Sequence, residues 1–225
     1  MLSVVEIFPT LQGEGSRAGQ PAVFVRFAGC NLWSGHEDTR HNGKGACAKW
    51  CDTVFVGGEK HTPQSLEQKI LSVAHEHGID RSPMWLLVLT GGEPLLQLRK
   101  QDGVTFLERM GEICTIAVET NGTVPVGAIE GLIDHVTVSP KPLAESQEST
   151  DHIVLRSGTD LKVVVGGGWS LGAIRSMHSW SFRNRFVQPI DDEEHHDVRL
   201  KQTIDAACDL GWKVSIQLHK LLGMP

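Results

Sequence analysis

The chain has 225 residues, 40% of them hydrophobic and 21% charged, with a net charge of −6; this suits one soluble domain with a full core and gives no overall attraction for nucleic acid. Its longest apolar runs, such as Trp85–Leu89, are far too short to span a bilayer, and the opening "MLSVVEIF" lacks a basic region followed by a long apolar stretch, so no membrane anchor or export signal is expected and the location is cytoplasmic. Five cysteines in such a chain point to metal binding or chemistry rather than disulfides.

The first predicted element is a buried strand, "AVFVRFA", Ala22–Ala28. Immediately after it, Cys30, Cys47 and Cys51 fall in one polar, glycine-bearing segment. A helix follows over "TPQSLEQKILSVAHEHG", with Thr62 as its cap, Pro63 in the first turn and Gly78 as its stop. The runs "WLLVLT", "CTIAVET", "HVTVS", "DLKVVVG", "RFVQ" and "WKVSIQ" read as strands, with helices predicted at Ser170–Ser179 and Glu193–Leu210. Near-continuous apolar strands alternating with helices predict a parallel sheet covered on both sides. Without an internal repeat or a Pro/Gly-rich linker, residues 1–225 form a single domain carrying an insertion at about 30–51.

Four of the predicted strands end in "TGGEP", "ETNG", "SPK" and "QPID". One such loop would be only a turn, but four that mix turn residues with charged or amide side chains predict a composite ligand site at the carboxyl ends of a parallel sheet. The clustered thiols admit two readings from their spacing. One is a structural zinc completed by His36 or His41; the other is an iron–sulfur cluster held by three thiolates with one iron left open. Cys114, at the start of a strand, and Cys208, on a helix, read as structural.

Trp50 directly before the last clustered cysteine, the "TGGEP" loop and the opening "FPTLQGEG" resemble the radical S-adenosylmethionine superfamily. Within it the chain is similar, nearly end to end, to the 7-carboxy-7-deazaguanine synthase family, through "EIFPTLQGEG", "FAGCNLWSG", "CDTVFVG", "TGGEP", "ETNG", "VSPK", "LKVV", "VQPID" and the terminal "HKLLGMP". Some members of that family lengthen the first gap between the cysteines, as here, where sixteen residues separate Cys30 from Cys47. The last gap, three residues between Cys47 and Cys51, is one longer than the family's usual.

The resemblance implies an incomplete, mostly parallel α/β barrel of the radical S-adenosylmethionine type. It implies a carbon–nitrogen lyase of queuosine (7-deazapurine) biosynthesis that contracts the ring of 6-carboxy-5,6,7,8-tetrahydropterin, with loss of ammonia. Cys30, Cys47 and Cys51 would hold a [4Fe-4S] cluster, and Thr53 would ligate Mg2+. Gly92, Glu93, Ser139, Pro140, Lys141, Gln188, Pro189, Ile190 and Asp191 would bind S-adenosylmethionine, which is used as a cofactor and not consumed. Leu11, Gln12, Gly13, Arg26 and Thr90 would bind the pterin, with the carboxylate of Pro225 on its amino-pyrimidinone edge; Glu14 and Glu119 are weaker candidates there. No side chain is expected to act as catalytic acid or base, because cluster and cofactor carry the chemistry. The implied partners are an electron donor such as a flavodoxin or ferredoxin, and a second copy in a homodimer. The alternatives are another radical enzyme, such as a glycyl-radical activase, and a zinc-stabilised binding module.

Overall fold

The computed structural model describes residues 1–42, 47, 51–144 and 146–224. Trp50 and Pro225, and with the latter the expected terminal carboxylate contact, lie outside the described residues. The strands are β1 Leu2–Leu11, β2 Pro21–Phe27, β3 Glu59–His61, β4 Leu86–Gly91, β5 Thr115–Thr120, β6 His135–Val138, β7 Ser157–Val165, β8 Ser181–Pro189 and β9 Lys213–Val214. The helices are α1 Pro63–Glu76, α2 Leu95–Leu98, α3 Gln101–Gly111, α4 Leu171–Ser176, α5 His196–Leu210 and α6 Leu218–Leu221. Among the described residues the strands join in one open sheet, ordered β3-β1-β2-β4-β5-β6-β7-β8-β9. From β2 onward all neighbours are parallel, and β1 alone runs antiparallel, to β2 and to β3.

The two-residue period of each strand separates two layers. Val23, Val25 and Phe27 of β2 bury themselves outward with Leu87, Leu89, Ile116 and Val118, against Leu66 and Ile70 of α1 and Phe106 and Met110 of α3. Leu161, Val163 and Val187 do the same against Ile174 of α4 and Leu210 of α5. Each fully buried side chain of this kind stabilises the fold by about 1.5–3 kcal/mol. The inward face begins apolar, with Ala22, Leu86, Val88 and Ala117, and turns polar at β7, where Asp160 and Lys162 are both buried. The segment after β1 crosses this inner face: Gln12 Nε2 donates to Glu119 Oε1 of β5 at 3.1 Å, and Ser16 N donates to Asp160 Oδ2 of β7 at 2.8 Å. These bonds tie the first strands to the later ones and give the incomplete barrel that the resemblance implies.

Helix α1 has the expected ends, with Thr62 Oγ1 accepting from Ser65 N at 3.1 Å and Gly78 in the left-handed region. Three elements differ from the sequence reading. Strand β1 precedes the one expected to be first; Pro9 disguises it, and is tolerated because β3 pairs only with Leu2–Val4 and leaves the side beside Pro9 open. Helix α3 lies between two expected strands, where the sequence reading singled out no particular helix; Gly103 lets it close on Leu98, whose backbone O would lie 2.4 Å from an added Cβ. The run "WKVSIQ" pairs only at Lys213–Val214, after which the chain leaves the sheet and forms α6. No helix among the described residues is long and apolar enough to cross a membrane.

Candidate functional site

A cavity of about 700 Å³ opens at the carboxyl ends of the parallel strands. Its floor is set by the loop after β4. Gly92 N donates to Phe27 O at 3.2 Å and Glu93 N to Gly29 O at 2.9 Å, which sews "TGGEP" to the loop that carries Cys30. The approach is close: a Cβ on Gly92 would sit 2.1 Å from Gly29 O and 2.9 Å from Cys30 Cβ, so only glycine fits. Glu93 lies beneath, with no exposed surface. Its Oε1 accepts from Leu95 N (3.1 Å) and Thr120 Oγ1 (2.8 Å), and its Oε2 from Asn121 N (2.8 Å). Burial pushes this carboxyl up to about 7 despite the three donors, which oppose the shift. Asn121 Nδ2 in turn donates to Asn31 Oδ1 at 3.1 Å, so "ETNG" is joined to the same cysteine loop.

Cys30, Cys47 and Cys51 all line this cavity, and all three are partly buried free thiols. Trp33 and Phe55, in edge-to-face contact at 5.6 Å, back Cys30 and Cys51 with an apolar wall. Burial raises the Cys30 thiol, against donation from the backbone of Leu32 and Trp33, and pushes Cys47 up to about 12. Thiols in this state need a bound cation to ionise. Among the described residues no three His, Cys, Asp or Glu side chains converge tightly enough to hold a single metal ion. Three cysteine thiols lining one cavity are a donor set that fits an iron–sulfur cluster with one iron left open. Thr53 also lines the cavity, with its hydroxyl 3.4 Å from Asp52 Oδ1.

The "SPK" and "QPID" loops form the next wall. Ser139, Pro140, Lys141, Gln188, Pro189, Ile190 and Asp191 all face the cavity. Lys141 Nζ donates to Ser139 Oγ at 2.7 Å; its burial lowers the ammonium, and an ionised Cys47 thiolate would act in the opposite sense. Asp191 pairs with Lys220 of α6, which also reaches Asp52 at 3.3 Å. Helix α6 therefore straps the loop after β8 to the loop that follows Cys51.

Leu11, Gln12, Arg26 and Thr90 also line the cavity. Arg26 Nε donates to Glu6 Oε2 at 3.2 Å, and its guanidinium lies 5.6 Å from the centre of the Phe8 ring. Gly13 does not line the cavity; its carbonyl accepts from Leu218 N at 3.0 Å and anchors α6. Glu14 and Glu119 do line it, joined by a residue that sequence reasoning missed. Lys162 Nζ pairs with Glu14 Oε2 and with Glu119 Oε2, the latter at 3.1 Å. Its signal was the lone lysine in the apolar strand "DLKVVVG", at a position whose alternation faces inward.

No protein-family model matches the chain. Curated relatives match it end to end. It is 39% identical over 231 residues to the 7-carboxy-7-deazaguanine synthase of Burkholderia multivorans, and 37% identical over 230 residues to that of Bordetella pertussis, with 99% of each chain covered in both cases. The enzyme of the same name from Nitratidesulfovibrio vulgaris is 38% identical, with 99% of this chain and 98% of the relative covered. The crystal structure of QueE from Escherichia coli shares the fold, with a TM-score of 0.63 over 97% of this chain and 94% of that one, at 22% identity. Full-length identity of this order, to several enzymes of one name and on a shared fold, shows that the chain belongs to the 7-carboxy-7-deazaguanine synthase family.

Proposed function

We propose that the chain converts 6-carboxy-5,6,7,8-tetrahydropterin to 7-carboxy-7-deazaguanine as a carbon–nitrogen lyase of queuosine biosynthesis, working in the cytoplasm. The observation that supports this most directly is one cavity lined by three thiols together with Leu11, Gln12, Arg26 and Thr90. Cys30, Cys47 and Cys51 would hold a [4Fe-4S] cluster, which with S-adenosylmethionine supplies, when bound, the radical that removes hydrogen from C6 of the pterin. The protein's own part is placement and exclusion of water. Gly92 offers backbone groups beside the cysteine loop, and Glu93 holds that end from beneath through Thr120 and Asn121. Ser139, Pro140, Lys141, Gln188, Pro189, Ile190 and Asp191 enclose the rest of the cofactor. Arg26 gives the edge of its guanidinium not used by Glu6 to the substrate carboxylate. Gln12 and Thr90 hydrogen-bond the ring. A flavodoxin or ferredoxin is the electron donor, and the assembly is a homodimer.

Anaerobic incubation with the tetrahydropterin, S-adenosylmethionine and a strong reductant should give 7-carboxy-7-deazaguanine by mass analysis, and ammonia. Deoxyadenosine without that product would point to a different radical enzyme. Thr53 is proposed as a ligand of Mg2+ shared with the substrate carboxylate. Product formation should then rise with added magnesium, and Thr53→Ala should blunt the rise only partly, since one hydroxyl is one of about six oxygen ligands. A magnesium profile unchanged in Thr53→Ala would remove that residue from the site.

A further inference from the structure

Lys162 rises from β7 into the cavity with only 5% of its surface exposed. A buried ammonium between two carboxylates leaves one excess negative charge on this wall. The carboxylates are also pinned from their other sides. Gln12 Nε2 donates to Glu119 Oε1 at 3.1 Å, while Gln188 and Gln217 donate to Glu14 Oε1 at 2.9 and 3.0 Å. A carboxylate offers about four acceptor positions. Glu119 receives from Gln12 and Lys162, so about two of its positions remain for a ligand, while Glu14 has about one.

We propose that Lys162 is a positioning residue for the nitrogen-rich edge of the substrate: its ammonium fixes Glu14 and Glu119 as ionised acceptors, and these receive the N–H donors of a flat amino-pyrimidinone ring. The inference rests on the proposed reaction, which supplies such a ring. Lys162 itself touches the carboxylates and not the ring. Burial alone would push Glu14 up, but the charge and hydrogen bond of Lys162, with the two glutamine amides, hold it at about 2. Burial likewise acts to lower Lys162, and Glu119 and Glu14 outweigh it and raise the ammonium. The other charged or titratable groups facing this cluster are Lys141 after β6 and His219 of α6. Asp160, two residues earlier on the same face of β7, is engaged by Ser16, His135 and Asn184.

The test uses 7-carboxy-7-deazaguanine as the probe, because it keeps the amino-pyrimidinone edge and is closed-shell. Its affinity for the holoenzyme is measured from about pH 5 to pH 8, where the ionised wall should make wild-type binding flat. Lys162→Met keeps the length of the side chain but leaves two partly buried carboxylates facing each other without a cation, so one takes up a proton and turns from acceptor to donor. Affinity near neutral pH should fall roughly ten- to a hundredfold, recovering as pH rises, with iron content unchanged. Lys162→Arg, which restores the charge, should recover affinity and the flat profile. Equal affinity and a flat profile in Lys162→Met would overturn the role of Lys162. If Lys162→Met does not retain its cluster, the wild-type profile decides: loss of affinity between pH 7 and 5 would overturn the ionised wall, and a flat profile supports it. Failure of wild type to bind the probe at any pH would overturn the proposed reaction itself.

Discussion

Replacing Cys30, Cys47 or Cys51 singly with alanine is expected to remove the brown iron–sulfur absorbance and to bring deoxyadenosine formation down to background. The three thiols share one cavity wall, and the described residues around it offer no further cysteine to take over a missing corner. A cube held by two thiolates is poorly retained, so the loss should be all or nothing at each position. The other two cysteines are internal controls. Cys114 is buried at the start of β5, with its Sγ 3.4 Å from Met110 O, and Cys208 lies exposed on α5. Alanine at either should leave iron, sulfide and activity in place. Cys47 matters most, because the gap that follows it is one residue longer than usual in the family. A full complement of iron and sulfide in Cys47→Ala would show that the cluster is held in another way.

Glu93→Ala should be the most destabilising single change at the site that spares every cluster thiol. It leaves Leu95 N, Thr120 Oγ1 and Asn121 N without their acceptor in a place with no solvent. Each buried group stripped of its partner costs about 1–3 kcal/mol, so a loss of about 3–5 kcal/mol and a fall of roughly 10 °C in Tm are expected. The carboxyl also leaves a mark on the pH dependence of stability. Its pKa is raised from 4.5 to about 7 in the folded protein, so the fold binds a proton there more tightly than the unfolded chain does. This contribution is full below about pH 4.5 and is lost as pH rises toward 7, to a total of about 3 kcal/mol. Glu14 and Asp160, both held near 2, act the other way; they stabilise above the unfolded carboxyl range and lose that as pH falls through it. The two windows scarcely overlap. Thermal melts at pH 5 and pH 7.5 should therefore show wild type losing ground to Glu93→Gln at the higher pH. Parallel trends in the two proteins would show that Glu93 does not titrate in that range.

The sequence by itself determined the class of fold and the loops where chemistry gathers. Buried parallel strands announce themselves, since covering both faces of a sheet demands runs such as "WLLVL", and the turns after them must hold Gly, Pro, Asn and charge. The thiols of Cys30, Cys47 and Cys51 were legible as a group for the same local reason: cysteines in a polar, glycine-bearing segment have no common core to share. Strand β1 was hidden, because an antiparallel strand with one side partly open can carry Pro9, which local rules count against a strand. Only the tertiary structure decided what Glu93 and Lys162 do. In sequence Glu93 is one more acidic group on a glycine loop, and Lys162 is an oddity in an apolar run. Their roles depend on partners 27 and 28 residues away for Glu93, and 43 and 148 residues away for Lys162. Burial reverses the ordinary preference of a charge for water only when such partners arrive together, and that depends on how the sheet curls, which no local spacing encodes.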